Sequence, residues 1–517
     1  GVTNVNAGTL VAASASALGA ATAGVTVANG ATLGMQGGIT VGAEALSLSG
    51  TGVAGDGALR NLSGNNTWGG TVTLAGNAEI QSDAGTLTLS AANSVTGATR
   101  NLTVDGTGNT AINGTITTTS GALIKNGTGT LTLSGANTAY AGAISVNAGT
   151  LAVTANNALG TTAAGTAVAN GATLDFRNVA YATGEAVTLN GGSLATSAGT
   201  SSFAGPVTLG ANSNVDVAGT QLTLSGAIGG AGFGINKQGN GALVLSGNNT
   251  YTGATNINAG TLTATGGNAI ADASQVNLAD VAGATLGLAG NETIGNLAGG
   301  GASGGNVTLG GNTLTVNQTA ATTYAGVISG TGDLTKTGTD TLTLAGSNTY
   351  TGMTNINAGA LVAANAAALG APAGGTSVGS NARLIIDGVA IGAEPVTLNG
   401  PGLFGAGAIT SNGNASLTGP ITLAADSIVA PNSGSVLTLA GAIDGAFALT
   451  KQGLGTLVLN GAVGGTTALT SLTTSAGGAT AIGGGLVRTS GNQTYNDTVS
   501  LGAPTTLATT PNGSITA

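Results

Sequence analysis

One long phrase recurs through the 517-residue chain and limits what it can fold into. "NGALVLSGNNTYTGATNINAGTL" at 240–262 returns as "TDTLTLAGSNTYTGMTNINAGAL" at 339–361, and more loosely as "TGTLTLSGANTAYAGAISVNAGTL" at 128–151. Anchors of the form Asn-Ala-Gly-(Thr/Ala)-Leu begin at Asn6, Asn147, Asn258 and Asn357, so the separations are 141, 111 and 99 residues. Other words keep the same offsets: Glu44 and Glu185 are 141 apart, and Glu394 lies 209 further on. Unequal spacing points to a unit that tolerates whole inserted sub-units, which suits an architecture where each part touches only its neighbours. The expected organisation is one continuous structure over 1–517, with approximate repeats 1–141, 142–252, 253–351 and 352–462. Residues 463–517 are expected to continue it as a divergent repeat.

Within each unit the local signal is alternation. Runs such as "TLTLSG", "LVLSG", "TVTLAG" and "PVTLG" place Leu and Val on one side and Thr on the other, bounded by Gly, Asn and Ser. Such runs read as short strands joined by tight turns. The segments 13–24 and 364–374 are expected to be loops or single helical turns. Many short strands fit a sandwich, a barrel or a solenoid. A sandwich needs a core about 10 Å thick filled by large side chains, and this chain holds five Phe and one Trp. A parallel β-solenoid needs only a narrow stack of Leu, Val, Ile and Ala. The expected fold is therefore all-β: a parallel β-helix with roughly 20–25 residues per turn and about 4.8 Å between rungs.

Charge and composition exclude several functions. Nine Lys and Arg against 18 Asp and Glu give a net charge of −9, so no dense basic patch for nucleic acid exists. No His and no Cys are present, which removes Ser-His-Asp, Cys-His and His-zinc chemistry together with disulfides. Glycoside hydrolysis needs facing carboxylates, and the acids are scattered without a paired cluster. The chain is read as a non-enzyme that requires no cofactor. Calcium solenoids repeat Gly-Gly-x-Gly-x-Asp, of which "VAGDGALRN" and "GTGDLTKTG" are single imperfect echoes. "GAGFG" at 230–234 is a turn rather than a nucleotide loop. No apolar run long enough for a transmembrane helix occurs, and "GVTNVNAGTL" lacks a basic leader region. That start enters the repeat midway, so the chain is read as a fragment of a longer repetitive protein.

Two kinds of side chain recur at fixed places. All four lysines, Lys125, Lys237, Lys336 and Lys451, stand two residues before a glycine that precedes a strand word, and Arg60 approximates the slot. They are expected to be structural, as solvated side chains at a strand or turn edge that discourage sideways pairing. Tyr251 and Tyr350 share an aromatic slot, which Trp68, Tyr495 and, with one extra residue before it, Tyr140 also occupy. These five are the candidate surface contacts. Regular exposed aromatics could stack on sugar rings, and the alternative places them at the rim of the thin core. A flat threonine array would suggest ice binding, but drifting repeat lengths count against it.

The segments 124–151, 236–262 and 335–361 resemble the autotransporter-associated β-strand repeat (passenger-associated transport repeat) of type V secreted bacterial passengers. A fourth copy at 450–465 loses the Asn-Thr-Tyr-Thr-Gly half, and 484–510 resembles repeats of giant exoproteins and filamentous adhesins. The resemblance implies a right-handed parallel β-helix, secreted or held at the bacterial cell surface. It also implies an outer-membrane translocator domain or partner outside this sequence. It implies an adhesive or structural role as a stalk, fibre or matrix filament, with a host-surface or glycan ligand. Head-to-tail or lateral self-association is a further expectation. The alternative is a carbohydrate-binding or carbohydrate-degrading β-helix.

Overall fold

The computed structural model describes residues 1–517. It falls into two units, Gly1–Gly253 and Ala254–Ala517, and each is a β-solenoid. In the first, eleven strands from Thr3–Val5 to Ile228–Gly229 lie side by side along one sheet. On a second sheet the partners are parallel in the same way: Leu131 pairs with Leu151, Leu151 with Leu174, Leu174 with Leu194 and Leu194 with Val215. These positions are 20 to 23 residues apart, which is the length of one turn. In the second unit the same relation links Leu342, Leu361, Leu384, Ile409 and Val429. Parallel strands fed by one-turn connections leave no route other than a coil.

Alternation decides which side chains fill the coil. In Thr130–Leu133 the two leucines are buried and the two threonines half-buried, and Thr341–Leu344 repeats the pattern. Stacked in register, the inward residues form aliphatic columns one side chain wide. Every residue of the columns just named is at most 1% exposed. The outward threonines and asparagines form ladders, as where Asn147 bonds Asn126 and Asn277 bonds Asn256. Such same-face pairs add modestly to a sheet.

Helix is almost absent. The only helical elements are two three-residue 3-10 turns, Val53–Gly55 and Leu403–Gly405. Segments 13–24 and 364–374 form turns, as expected. No helix is long and apolar enough to cross a membrane.

Candidate functional site

The repeated phrase is a buried clamp. Alternation carries it inward: Lys125 is two residues beyond buried Leu123, and Lys336 two beyond buried Leu334. Lys125 therefore stands between Val104 and Val146 in an aliphatic column, and Lys336 between Val316 and Ile356. The four lysines are at most 2% exposed, which overturns their expected solvation. An ammonium has three donors, and the turn that follows supplies acceptors. Lys336 Nζ donates to the carbonyls of Thr337 (3.2 Å), Gly338 (3.1 Å) and Ala358 (2.8 Å). Lys125 does the same with Asn126, Gly127 (2.7 Å) and Ala148 (3.3 Å). Lys237 donates to Gln238 (2.8 Å) and Gly239 (2.6 Å).

This geometry explains two words of the phrase at once. Ala148 and Ala358 are the middle residues of the Asn-Ala-Gly anchors one turn on, so lysine and anchor are halves of one site. Gly359 has φ +67°, and a Cβ there would lie 2.8 Å from Lys336 Nζ; only glycine fits. Burial pushes the ammonium groups of Lys125, Lys237 and Lys336 down to about 8, partly offset by Asp105, Asp216 and Asp340 respectively. Arg60 does not share the slot. Asn61 is the inward residue there, and the Arg60 guanidinium lies outside, bonded to Asp56 (2.7 Å) and Asp83 (2.8 Å).

The second half of the clamp is asparagine and tyrosine. Asn348 Oδ1 accepts from Ile328 N–H (2.8 Å) on the preceding turn, while its Nδ2 donates to the Ala368 carbonyl (2.7 Å) on the next. Asn137 joins Ile116 (2.7 Å) and Ala158 (2.6 Å) in the same way. One side chain thus holds three turns. The five aromatic candidates are all buried: Trp68, Tyr251 and Tyr350 at 0% exposure, Tyr140 at 1% and Tyr495 at 5%. They cannot be surface contacts. They pack inside the coil, where neighbouring groups take the hydroxyls of Tyr140, Tyr350 and Tyr495 while Trp68 Nε1 is buried without a partner. Tyr140 donates to the Ala143 carbonyl (3.1 Å), and the Tyr350 hydroxyl bonds Thr354 Oγ1 (2.5 Å). Trp68 lies in register between Val41 and Leu89.

Four glutamates are buried too. Glu44, Glu185, Glu292 and Glu394 are at most 3% exposed. Thr376 Oγ1 donates to Glu394 Oε1 (2.8 Å), and Ile270 N–H to Glu292 Oε1 (2.7 Å). Burial pushes the carboxyls of Glu185, Glu292 and Glu394 up to about 7. The constant offsets between Glu44, Glu185 and Glu394 were the sequence signal of this slot, although offsets alone do not say which way a side chain points. No cluster of three or more His, Cys, Asp or Glu side chains suited to a metal ion occurs.

The most exposed aromatic is one that the sequence reading missed. Phe404 is 92% exposed at φ +54°, the left-handed region that a bulky side chain rarely enters. It tops the loop "PGLFGAGAI", whose counterpart "TGVAGDGAL" places Ala54 at φ +55° in the first unit. Gly402 is required at the loop base, because a Cβ there would lie 2.2 Å from the Gly407 carbonyl carbon. Arg383, one turn earlier, donates to the carbonyls of Gly407 (3.2 Å), Leu403 (3.1 Å) and Ala406 (3.3 Å). The matching pair of glycine-rich words is the signal that could have found this loop.

Comparison with known proteins identifies the clamp. The passenger-associated-transport-repeat family matches residues 80–100, 123–153, 235–264, 334–363 and 449–467. The chain carries passenger-associated transport repeats. Each of the last four matches has the clamp lysine as its third residue, and the longer three run through the anchor that closes over it. The first match has buried Ser82 in that place. A 152-residue stretch is 44% identical to the adhesin BmaC autotransporter of Brucella suis biovar 1 (strain 1330). That stretch is 29% of this chain and 4% of the relative's length. No solved structure matches. The repeat matches end at 467, so the likeness of 484–510 to giant exoproteins rests on the sequence reading alone.

Proposed function

We propose that the chain is part of a bacterial passenger exported through an outer-membrane translocator, and that it serves outside the cell as an adhesive stalk or fibre without enzymatic activity. The observation that carries this reading is where the repeat spends its polar groups. The lysine, the clamp asparagine and the tyrosine of the recurring phrase point inward with the buried glutamates, and the lysine, asparagine and glutamate side chains tie turn to turn. The outer ladders are left to Thr, Ser and Asn. Such a scaffold resists unravelling and offers little for catalysis. The similarity to an adhesin autotransporter supports the same role.

Contact with a ligand on another surface is assigned to the Phe404 loop. A large apolar ring held in solvent on a strained, braced turn has no folding benefit to account for it. The carbohydrate reading loses the residues it rested on, because the repeat-slot aromatics are inside. Display of the chain on bacteria behind a heterologous translocator tests the proposal. Adhesion to host cells above that of the translocator alone is expected, with a several-fold drop for Phe404→Ser at unchanged circular dichroism. Adhesion equal to the translocator control would defeat the adhesive reading. Equal adhesion of the variant would move the contact elsewhere.

A further inference from the structure

The fourth lysine differs from the other three. Lys451 Nζ donates to the Gly453 carbonyl (3.1 Å), but its main partner is a carboxylate, Asp497 Oδ2, at 2.9 Å. Both side chains are 0% exposed. The anchor that would close the site is absent, since "SAGG" at 475–478 replaces Asn-Ala-Gly. Gly478 gives Lys451 room to rise, as a Cβ there would lie 2.1 Å from Nζ. Lys451 is in register with Thr474 and Thr474 with Tyr495, so Asp497 belongs two turns above. The Thr480 hydroxyl donates to the same Oδ2 (2.9 Å), and Asp497 Oδ1 is buried without a partner.

We propose that Lys451 and Asp497 are the two ends of an intramolecular amide cross-link formed by their own condensation. An amine and a carboxyl held in hydrogen-bond contact, out of water, have the proximity that makes such a reaction effectively unimolecular. Passage of a proton from Nζ to Oδ2 leaves a free amine against a carboxylic acid. The Nζ lone pair then attacks Cγ, and a second proton moves from Nζ to Oδ2, with the Thr480 hydroxyl placed to relay it. The Cγ–Oδ2 bond breaks, one water leaves, and Oδ1 remains as the amide oxygen. No oxidant or other reactant is consumed. Dry surroundings also remove the water that would reverse the step. The product ties three successive turns covalently, where the incomplete fourth repeat has lost its asparagine clamp, and closes a loop that restricts the unfolded chain.

Intact-mass spectrometry of the purified full chain tests this. The expected mass is one water below that of the sequence, and a protease digest should yield a branched peptide joining the segments of Lys451 and Asp497. Asp497→Ala should restore the full sequence mass. Asp497→Asn should be lighter than its own sequence by one ammonia. An unmodified full-length mass overturns the proposal, as does a branch that maps to any other pair.

Discussion

Within residues 254–517, the clamp around Lys336 and the loop around Phe404 meet awkward backbone in opposite ways. In the clamp, carbonyls turned inward by Gly338 and capped from Ala358 are satisfied by a buried ammonium. In the loop, carbonyls turned outward are capped by the Arg383 guanidinium, while the apolar ring at its tip stands in solvent. The clamp recurs because every turn needs the next. The loop keeps its glycines in both units but changes its tip from Ala54 to Phe404. Repetition therefore marks the wall, and the exposed tip at which the two loops differ most is where the proposed contact is placed.

Breaking the clamp should give the largest effect. Lys336→Met keeps the volume in the column but leaves three buried carbonyls without their donor, at about 1–3 kcal/mol for a buried group left unsatisfied. The expected loss is about 4 kcal/mol, read as faster amide exchange across 334–363 with adhesion unaltered under native conditions. A loss below about 1 kcal/mol would show that the ammonium is not what holds the turn. Asn348→Ala removes two inter-turn bonds at once and should cost about 2 kcal/mol by the same measurement.

Titration sharpens the comparison, because the clamp lysines and the buried glutamates change charge near neutral pH. Glu185, Glu292 and Glu394 have folded values near 7 against an ordinary 4.5. The folded state thus binds more protons between these values, and stability falls as pH rises through that window. Lys125, Lys237 and Lys336 have folded values near 8 against 10.5. There the unfolded state binds more protons, so stability recovers as pH rises above 8. Melting temperature should pass through a shallow minimum between pH 7 and 8, and Lys336→Met should flatten the alkaline rise. A melting temperature that climbs steadily from acid to pH 7 would contradict the assignment.

Much of this was present in the sequence, and the part that was not has a physical reason. Strand words, turn length and the aliphatic core follow from period-two alternation. That same alternation already set each lysine two places beyond an inward residue: Leu123, Ile235, Leu334 and Leu449. The general rule that lysine stays in water outweighed it. What could not be read is the acceptor set, since Ala148 is 23 residues from Lys125 and meets it only when the turns stack. The aromatics were open to two readings, surface contact or packing at the rim of the thin core, because a regular spacing does not say which way a ring points; all five are buried. Asp497 lies in the divergent tail, where no repeat aligned it with Lys451.

The smallest effect on stability is expected at the loop, and its sign separates contact from scaffold. Phe404 holds a left-handed conformation that costs a non-glycine residue about 1–2 kcal/mol, and its ring gains almost nothing from burial at 92% exposure. Phe404→Gly removes the strain but loosens the unfolded chain, which returns about 0.5–1 kcal/mol. The net change should be a stabilisation of at most about 1 kcal/mol, while adhesion falls several-fold. Ala54→Gly, in the counterpart loop, should show a smaller stability gain and no change in adhesion. If Phe404→Gly instead destabilised the chain by about 2 kcal/mol, the ring would be packing against something in the folded protein. The loop would then belong with the clamp as part of the wall.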